Sequence, residues 1–185
     1  MKSYKMTIAG LERALPICPV NDSLSIGAFV ILGDAALSEA AARELLKLAP
    51  DYDYIITAEA KGIPLAHEMA RQHGDRTYIV ARKTPKLYMT GVFQVDVRSI
   101  TTAKDQMLYL DTAEAALMKD KRILLVDDVI STGESIHAVE KLVKKAGGKI
   151  VGRMCILAEG EAQKRDDIIY LEKLPVFNPD GTVKE

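Results

Sequence analysis

A chain of 185 residues with a formal net charge of −1 is long enough for one well-buried domain and too short for two ordinary ones, and its charge gives no pull toward nucleic acid or an anionic membrane. With 48% hydrophobic and 28% charged residues it reads as globular rather than disordered, and no apolar run reaches the length of a membrane span. Cys18 and Cys155 lie far apart and outside any CxxC or Cys/His cluster; they read as free, buried thiols, and with no apolar leader ahead of Leu11 the expected setting is the cytoplasm.

Residues 1–32 show no clean period. Leu15, Ile17, Val20, Ile26, Phe29, Val30 and Ile31 alternate with Pro16, Pro19, Asn21 and Gly27, which predicts short extended pieces and turns, either a small flap over a main sheet or irregular cover. Ser38 is expected to cap a helix running to Leu48 and stopped by Pro50. Tyr54 to Thr57 reads as a short buried strand, leading through Ala58-Glu59-Ala60-Lys61-Gly62 into a helix carrying Leu65, Ala66, Met69 and Ala70. The small residues, glycine and single cation of that turn suit an anionic group.

Arg76 to Ala81 is the next predicted strand, and it delivers Arg82, Lys83 and, after Thr84-Pro85, Lys86 at its carboxyl end. These cations suit a polyphosphate, although basic residues after a strand also serve as an ordinary solvated turn. Val92 to Arg98 alternates like a strand and precedes a polar stretch, Ser99 to Gln106, so residues 87–110 are expected to form a hairpin or flap.

After a brief helix, Thr112 to Met118, comes the most informative stretch, ILLVDDVISTGES from Ile123 to Ser135. The apolar run Ile123 to Val126 predicts a strand buried on both faces, hence a parallel sheet covered by helices. Asp127 and Asp128 follow, then Val129 and Ile130, then a small polar turn at Ser131, Thr132 and Gly133. Ile136, Val139, Glu140, Leu142 and Val143 recur at helical spacing up to Gly147 and Gly148.

Ligands of open α/β sheets sit beyond the carboxyl ends of the strands, where the next helix offers unpaired N–H groups. The turn at 131–135 therefore suits a phosphate. Two adjacent acids would repel that phosphate; they suit vicinal sugar hydroxyls, or a hydrated Mg²⁺ held through water. Lys149 to Leu157 and Ile168 to Leu171 are the last core strands, with an exposed, charged segment from Gly160 to Asp167 between them. A turn-rich end, Pro175 to Gly181, offers Phe177 either as cover for a flat base or as ordinary packing. Neither GxxxxGK[ST] nor GxGxxG occurs, and His67, His73 and His137 are scattered on predicted helices.

The apolar strand, acid pair, two apolar residues and small-Thr-Gly turn resemble the phosphoribosyl-pyrophosphate (PRPP) signature of type I phosphoribosyltransferases, and the likeness runs over about residues 55–171. It implies an α/β fold: a mostly parallel, Rossmann-like central sheet flanked by helices, with a small hood. The whole chain would be one domain, with about 1–32 and 173–185 as hood segments and 83–106 as a flexible loop or hairpin. The implied reaction moves 5-phosphoribosyl from PRPP to a nitrogenous base and releases pyrophosphate, with Mg²⁺ held mainly by PRPP.

By the same resemblance, Asp127 and Asp128 hold the ribose hydroxyls, touch Mg²⁺ at most through water, and join Lys83 and Lys86 as the catalytic set. Ser131, Thr132, Gly133, Glu134 and Ser135 bind the 5′-phosphate, Glu134 standing where several members carry glycine. Glu59, Ala60, Lys61, Gly62 and Arg82 face pyrophosphate, and Ser99, Thr101 and Lys104 belong to the lid. Ser131 replaces the aspartate common in the hypoxanthine/guanine branch, and the Ala81-Arg82-Lys83 segment is similar to the adenine and xanthine branch. Adenine is the first expectation; xanthine, hypoxanthine/guanine and orotate enzymes, and a non-catalytic PRPP-binding regulator, stand as alternatives. The expected partners are PRPP, a purine and a second copy in a homodimer, without nucleic acid or membrane.

Overall fold

The computed structural model describes residues 2–97 and 106–184. Its centre is a five-stranded, wholly parallel sheet formed by β4 (Tyr54–Ala58), β5 (Ile79–Ala81), β8 (Arg122–Ile130), β9 (Lys149–Glu159) and β10 (Ile169–Leu174), in the spatial order β10-β9-β8-β4-β5.

The apolar run of β8 explains the layering. Successive side chains alternate between faces, so Leu124 and Val126 enter one core with Leu45, Leu65 and Met69, while Ile123 and Leu125 enter the other with Leu110, Met118, Val139 and Leu142. The first face is covered by α1 (Ala35–Leu46) and α2 (Ile63–His73), the second by α3 (Thr112–Leu117) and α4 (Glu134–Lys145). No helix among the described residues is long and apolar enough to cross a membrane.

The chain leaves β4 toward β5 on one side, then returns past β4 to place β8 on the other. The connections diverge between β4 and β8, the kind of switch point where open α/β sheets bind ligands. The ladder opens there as well. β8 pairs with β4 only as far as Leu125, opposite Ile56, but follows β9 out to Ile130. Past Leu125 the acid pair therefore borders a split in the sheet.

The N-terminal residues make more regular structure than their interrupted pattern predicts. β1 (Ser3–Ile8), β2 (Leu11–Asn21) and β3 (Leu24–Gly27) form an antiparallel sheet that is completed by β11 (Val176–Phe177) from the other end of the chain. Phe177 is buried in this layer edge-on to Tyr4, with ring centroids 5.3 Å apart, so it packs the hood and does not face the cleft described below.

Within the stretch expected to form a hairpin or flap, β6 (Val92–Val97) pairs antiparallel with β7 (Gln106–Asp111). A two-way backbone bridge between Arg82 and Tyr109 joins it to the end of β5, and Lys145 of α4 donates to the Gln94 carbonyl at 2.7 Å.

The helix expected to begin at Ser38 begins one turn earlier. Asp34 is its N-cap and accepts the Leu37 N–H at 3.1 Å, while Ser38 lies inside the helix with its hydroxyl turned back to the Asp34 carbonyl. The strand expected over 76–81 is confined to Ile79–Ala81, and the last core strand runs on to Leu174.

Asp34 also receives Arg13 of β2 through Nε at 2.6 Å and Nη2 at 2.9 Å, tying hood to core. That guanidinium holds the Asp34 carboxyl below the usual carboxylate range. Asp34→Ala removes both cap and tie, with an expected loss of about 1–2 kcal/mol in a urea unfolding experiment. The loss should shrink as pH falls and the wild-type carboxylate is itself protonated.

Candidate active site

Two turns flank the split in the sheet. The first, after β4, runs from Glu59 to Gly62 and opens α2. A Cβ on Gly62 would lie 2.1 Å from Thr57 Oγ1 and 3.1 Å from Asp127 Oδ1, so only glycine lets this turn approach the acid pair so closely. The second turn, after β8, leads into α4 through Gly133, whose φ of +82° is left-handed and therefore favours glycine. A Cβ at Gly133 would also lie 2.7 Å from the Arg165 guanidinium, which an ion pair with Asp167 holds against the back of the turn.

Between the turns lies a cleft of about 630 Å³. Its floor carries Asp127, Asp128, Ser131 and Ser135. Glu59, Ala60, Lys61 and Lys83 form one wall, and hood residues 26–30 with Leu174 form another. Thr132, Gly133 and Glu134 line a small adjoining hollow at the N-terminus of α4, together with Ser131 and Ser135. The Glu134 N–H reaches Thr132 Oγ1 at 3.5 Å.

Besides Thr132, Gly133 and Glu134 in that hollow and Gly62 against Asp127, the expected site residues fall into three groups. Asp127, Asp128, Lys61, Lys83, Glu59, Ala60, Ser131 and Ser135 share the cleft. Arg82 and Lys86 instead gather around Glu59, with Nη1 at 4.0 Å and Nζ at 3.6 Å from its Oε1. Glu59 also accepts the Lys83 N–H at 3.0 Å, and these contacts, the backbone bond foremost, hold its carboxyl below the ordinary range. The third group, Ser99, Thr101 and Lys104, lies outside the described residues.

The acid pair is electrostatically tense. Asp128 is 3% exposed, with Lys61 Nζ 2.9 Å from its Oδ2, and its N–H donates to Asp127 Oδ1 at 2.9 Å. Burial, reinforced by the charge of Asp128, pushes the Asp127 carboxyl up to about 7. This donor set fits a hydrated Mg²⁺ carried in by a polyphosphate: two neighbouring carboxylates, one already bound to an ammonium, can take water-mediated contacts but do not make a cage. Among the described residues no group of three or more potential metal ligands occurs.

Two features of the cleft escape the sequence reading. Glu159, at the end of β9, lines it, although its position after the apolar run Cys155 to Ala158 repeats the pattern that singled out Asp127. The hood wall at 26–30 also lines it, and residues there offer backbone and apolar groups without a motif. The histidines stay out: His73 stacks on Tyr52 and meets Asp75 at 2.7 Å, and His67 packs against Tyr78. Cys155 is buried as expected, while Cys18 is only part-buried.

The family model described as "Phosphoribosyl transferase domain" matches residues 31–179. The chain belongs to the phosphoribosyltransferase family. Among relatives it is 35% identical over 149 residues to the "Hypoxanthine/guanine phosphoribosyltransferase" of Methanococcus voltae, covering 80% of this chain and 73% of that protein. It is 34% identical to the protein of the same name from Methanotorris igneus, covering 83% and 85%. Among solved structures, the adenine phosphoribosyltransferase of Thermoanaerobacter pseudethanolicus superposes with a TM-score of 0.68 at 22% identity, covering 86% of this chain and 95% of that one, a likeness of fold. The residues matched to the family take in the sheet split and both glycine-dependent turns of this phosphoribosyltransferase, while hood strands β1 to β3 precede them.

The raised Asp127 gives the protein a pH signature. A carboxyl whose folded value stands above its unfolded one supports stability fully below about pH 4, and that support is lost as pH rises toward about 7. Asp127→Asn removes the dependence. The variant should gain thermal stability relative to wild type between about pH 4 and pH 8; a constant difference across that window would refute the assignment.

Proposed function

We propose that the protein transfers 5-phosphoribosyl from PRPP to a purine, forming the nucleoside monophosphate and pyrophosphate. The observation that carries this reading is the convergence of an adjacent acid pair, Asp128 buried, and a small hollow at a helix N-terminus on one cleft, closed on its far side by the hood. In this reading the 131–135 turn anchors the 5′-phosphate through main-chain N–H groups and the hydroxyls of Ser131, Thr132 and Ser135. Asp127 and Asp128 accept hydrogen bonds from the ribose hydroxyls and hold C1′ in line between base and leaving group.

A base nitrogen attacks C1′ while the C1′–oxygen bond breaks, its electron pair leaving on pyrophosphate, and the N–H proton lost by the base passes to solvent water. Lys61 and Lys83 face the cleft, where positive charge offsets the charge on the departing group. Asp127 and Asp128 would meet a Mg²⁺ brought in by PRPP through water, and the ion would add to that charge neutralisation. Lys61 has a second task here. Its Nζ lies 2.9 Å from Asp128 Oδ2, and its transfer to pyrophosphate would free that carboxylate for the sugar. Arg82 and Lys86 act one step back, fixing Glu59 and so the turn that carries Lys61.

Adenine is the first reading of the base, favoured by Ser131 in place of the aspartate of the hypoxanthine/guanine branch. A 6-oxopurine is the second, favoured by the names of the archaeal relatives. The deciding experiment is pyrophosphate release from PRPP and Mg²⁺ with adenine, hypoxanthine, guanine, xanthine, orotate or uracil. Rapid release with one purine is expected; PRPP binding without release on any base would favour a PRPP-binding regulator. Asp128→Asn should lower turnover by about tenfold or more while the fold persists, and Thr132→Val should chiefly weaken PRPP binding.

A homodimer belongs to the same reading. Leu87 and Tyr88, fully and two-thirds exposed next to the cationic segment, are apolar surface for a second copy to cover. Sedimentation velocity should find a dimer, and a monomer at every concentration would count against it.

A further inference from the structure

Each acid of the cleft has an occupation except one. Asp127 and Asp128 are coupled to each other and to Lys61, and Glu59 is held by the Lys83 N–H, Arg82 and Lys86. Glu159 lines the same cleft, part-buried at the end of β9, and its side chain makes no hydrogen bond or ion pair among the described residues. Its location is specific. Its backbone is in register with Leu174 of β10, and Leu174 lies 3.3 Å from where a Cβ on Gly27 of the hood strand β3 would stand. The carboxyl therefore sits where the hood meets the sheet, with the ribose-binding acids on the neighbouring strand β8.

The phosphate turn and the acid pair account for the sugar, so the group left for the hood side of the cleft is the base. A purine is apolar on its faces and carries N–H donors on its edge. The apolar cover is present in Ile26, Phe29, Val30 and Leu174, and the polar partner missing from that list is an acceptor. We infer that Glu159 is a specificity-determining residue that accepts a hydrogen bond from an edge N–H of the purine, whether an exocyclic amino group or a protonated ring nitrogen. This rests on the phosphoribosyl-transfer reading and deepens it by naming what the base must offer. Burial raises the Glu159 carboxyl while the charge of Lys61 opposes that rise, so an N–H donor from the base supplies the partner that the protein leaves out.

A carboxylate with no protein partner discriminates strongly, because a base that lacks the donor leaves the buried acceptor unmet. The test compares the best natural base with unsubstituted purine, which has neither an exocyclic amino group nor an N1 proton, in wild type and in Glu159→Gln. The expected result is a fall of about tenfold or more in the ratio of kcat/KM for the natural base over that for purine, with the KM for PRPP unchanged. Glu159→Asp should retain part of the ratio, and its direction provides the reading if the glutamine variant does not fold.

An unchanged ratio overturns the inference, and so does a loss that falls equally on both bases. If wild type turns over no base, phosphoribosyl transfer fails as the function. The same ratio, measured as dissociation constants of the two bases for the protein loaded with PRPP and Mg²⁺, then decides Glu159 separately. No binding of either base overturns both.

Discussion

A strand buried on both faces has no room for charge until it leaves its neighbours, and β8 obeys that constraint. Ile123, Leu124, Leu125 and Val126 divide between two cores, and the first acids appear only where pairing with β4 has ended. The split that exposes one edge of β8 is thus the condition for having carboxylates there at all. Burial remains severe enough to raise Asp127 and to require an ammonium beside Asp128. The electrostatic tension of the pair comes from a compromise between a strand that excludes water and a ladder that opens two residues before the acids.

The glycines express the same economy of space. Gly62 brings one turn against Asp127 and Thr57, while Gly133 reverses the chain ahead of α4 and admits Arg165 behind it. In one case the demand is for room and in the other for room and a left-handed backbone. Because both turns close on the acids, changes in either would reach the cleft through backbone shifts rather than through lost side-chain contacts.

Much of this was legible in the residues because it depended on local pattern. The two-sided run of β8, the acid pair, the Ser-Thr-Gly turn and the spacing of α4 are contiguous, and the family is written in that stretch. What depended on distant partners was harder to read. Asp34 takes the cap from Ser38 because it also pairs with Arg13 across the hood, a contact between positions 21 apart that no helical pattern contains. The hood sheet, which closes with Val176 and Phe177, was hidden by Pro16 and Pro19 and by a strand contributed from the far end of the chain. The contacts of Arg82 and Lys86 with Glu59 join residues more than 20 positions apart, which the charge pattern after β5 does not contain. Glu159 has a weaker sequence signature, because one acid after an apolar run carries less signal than two.

Helix α4 links parts that would otherwise behave independently. Its first residues shape the hollow beside Gly133, and at its last residue Lys145 grips the Gln94 carbonyl and lies over the Phe93 ring, 5.1 Å from the centroid. Twelve helical residues make a stiff rod about 18 Å long. The hollow at one end and the anchorage of the β6–β7 hairpin at the other therefore share a single stiff element, and neither can be repositioned independently of the core on which that helix is packed.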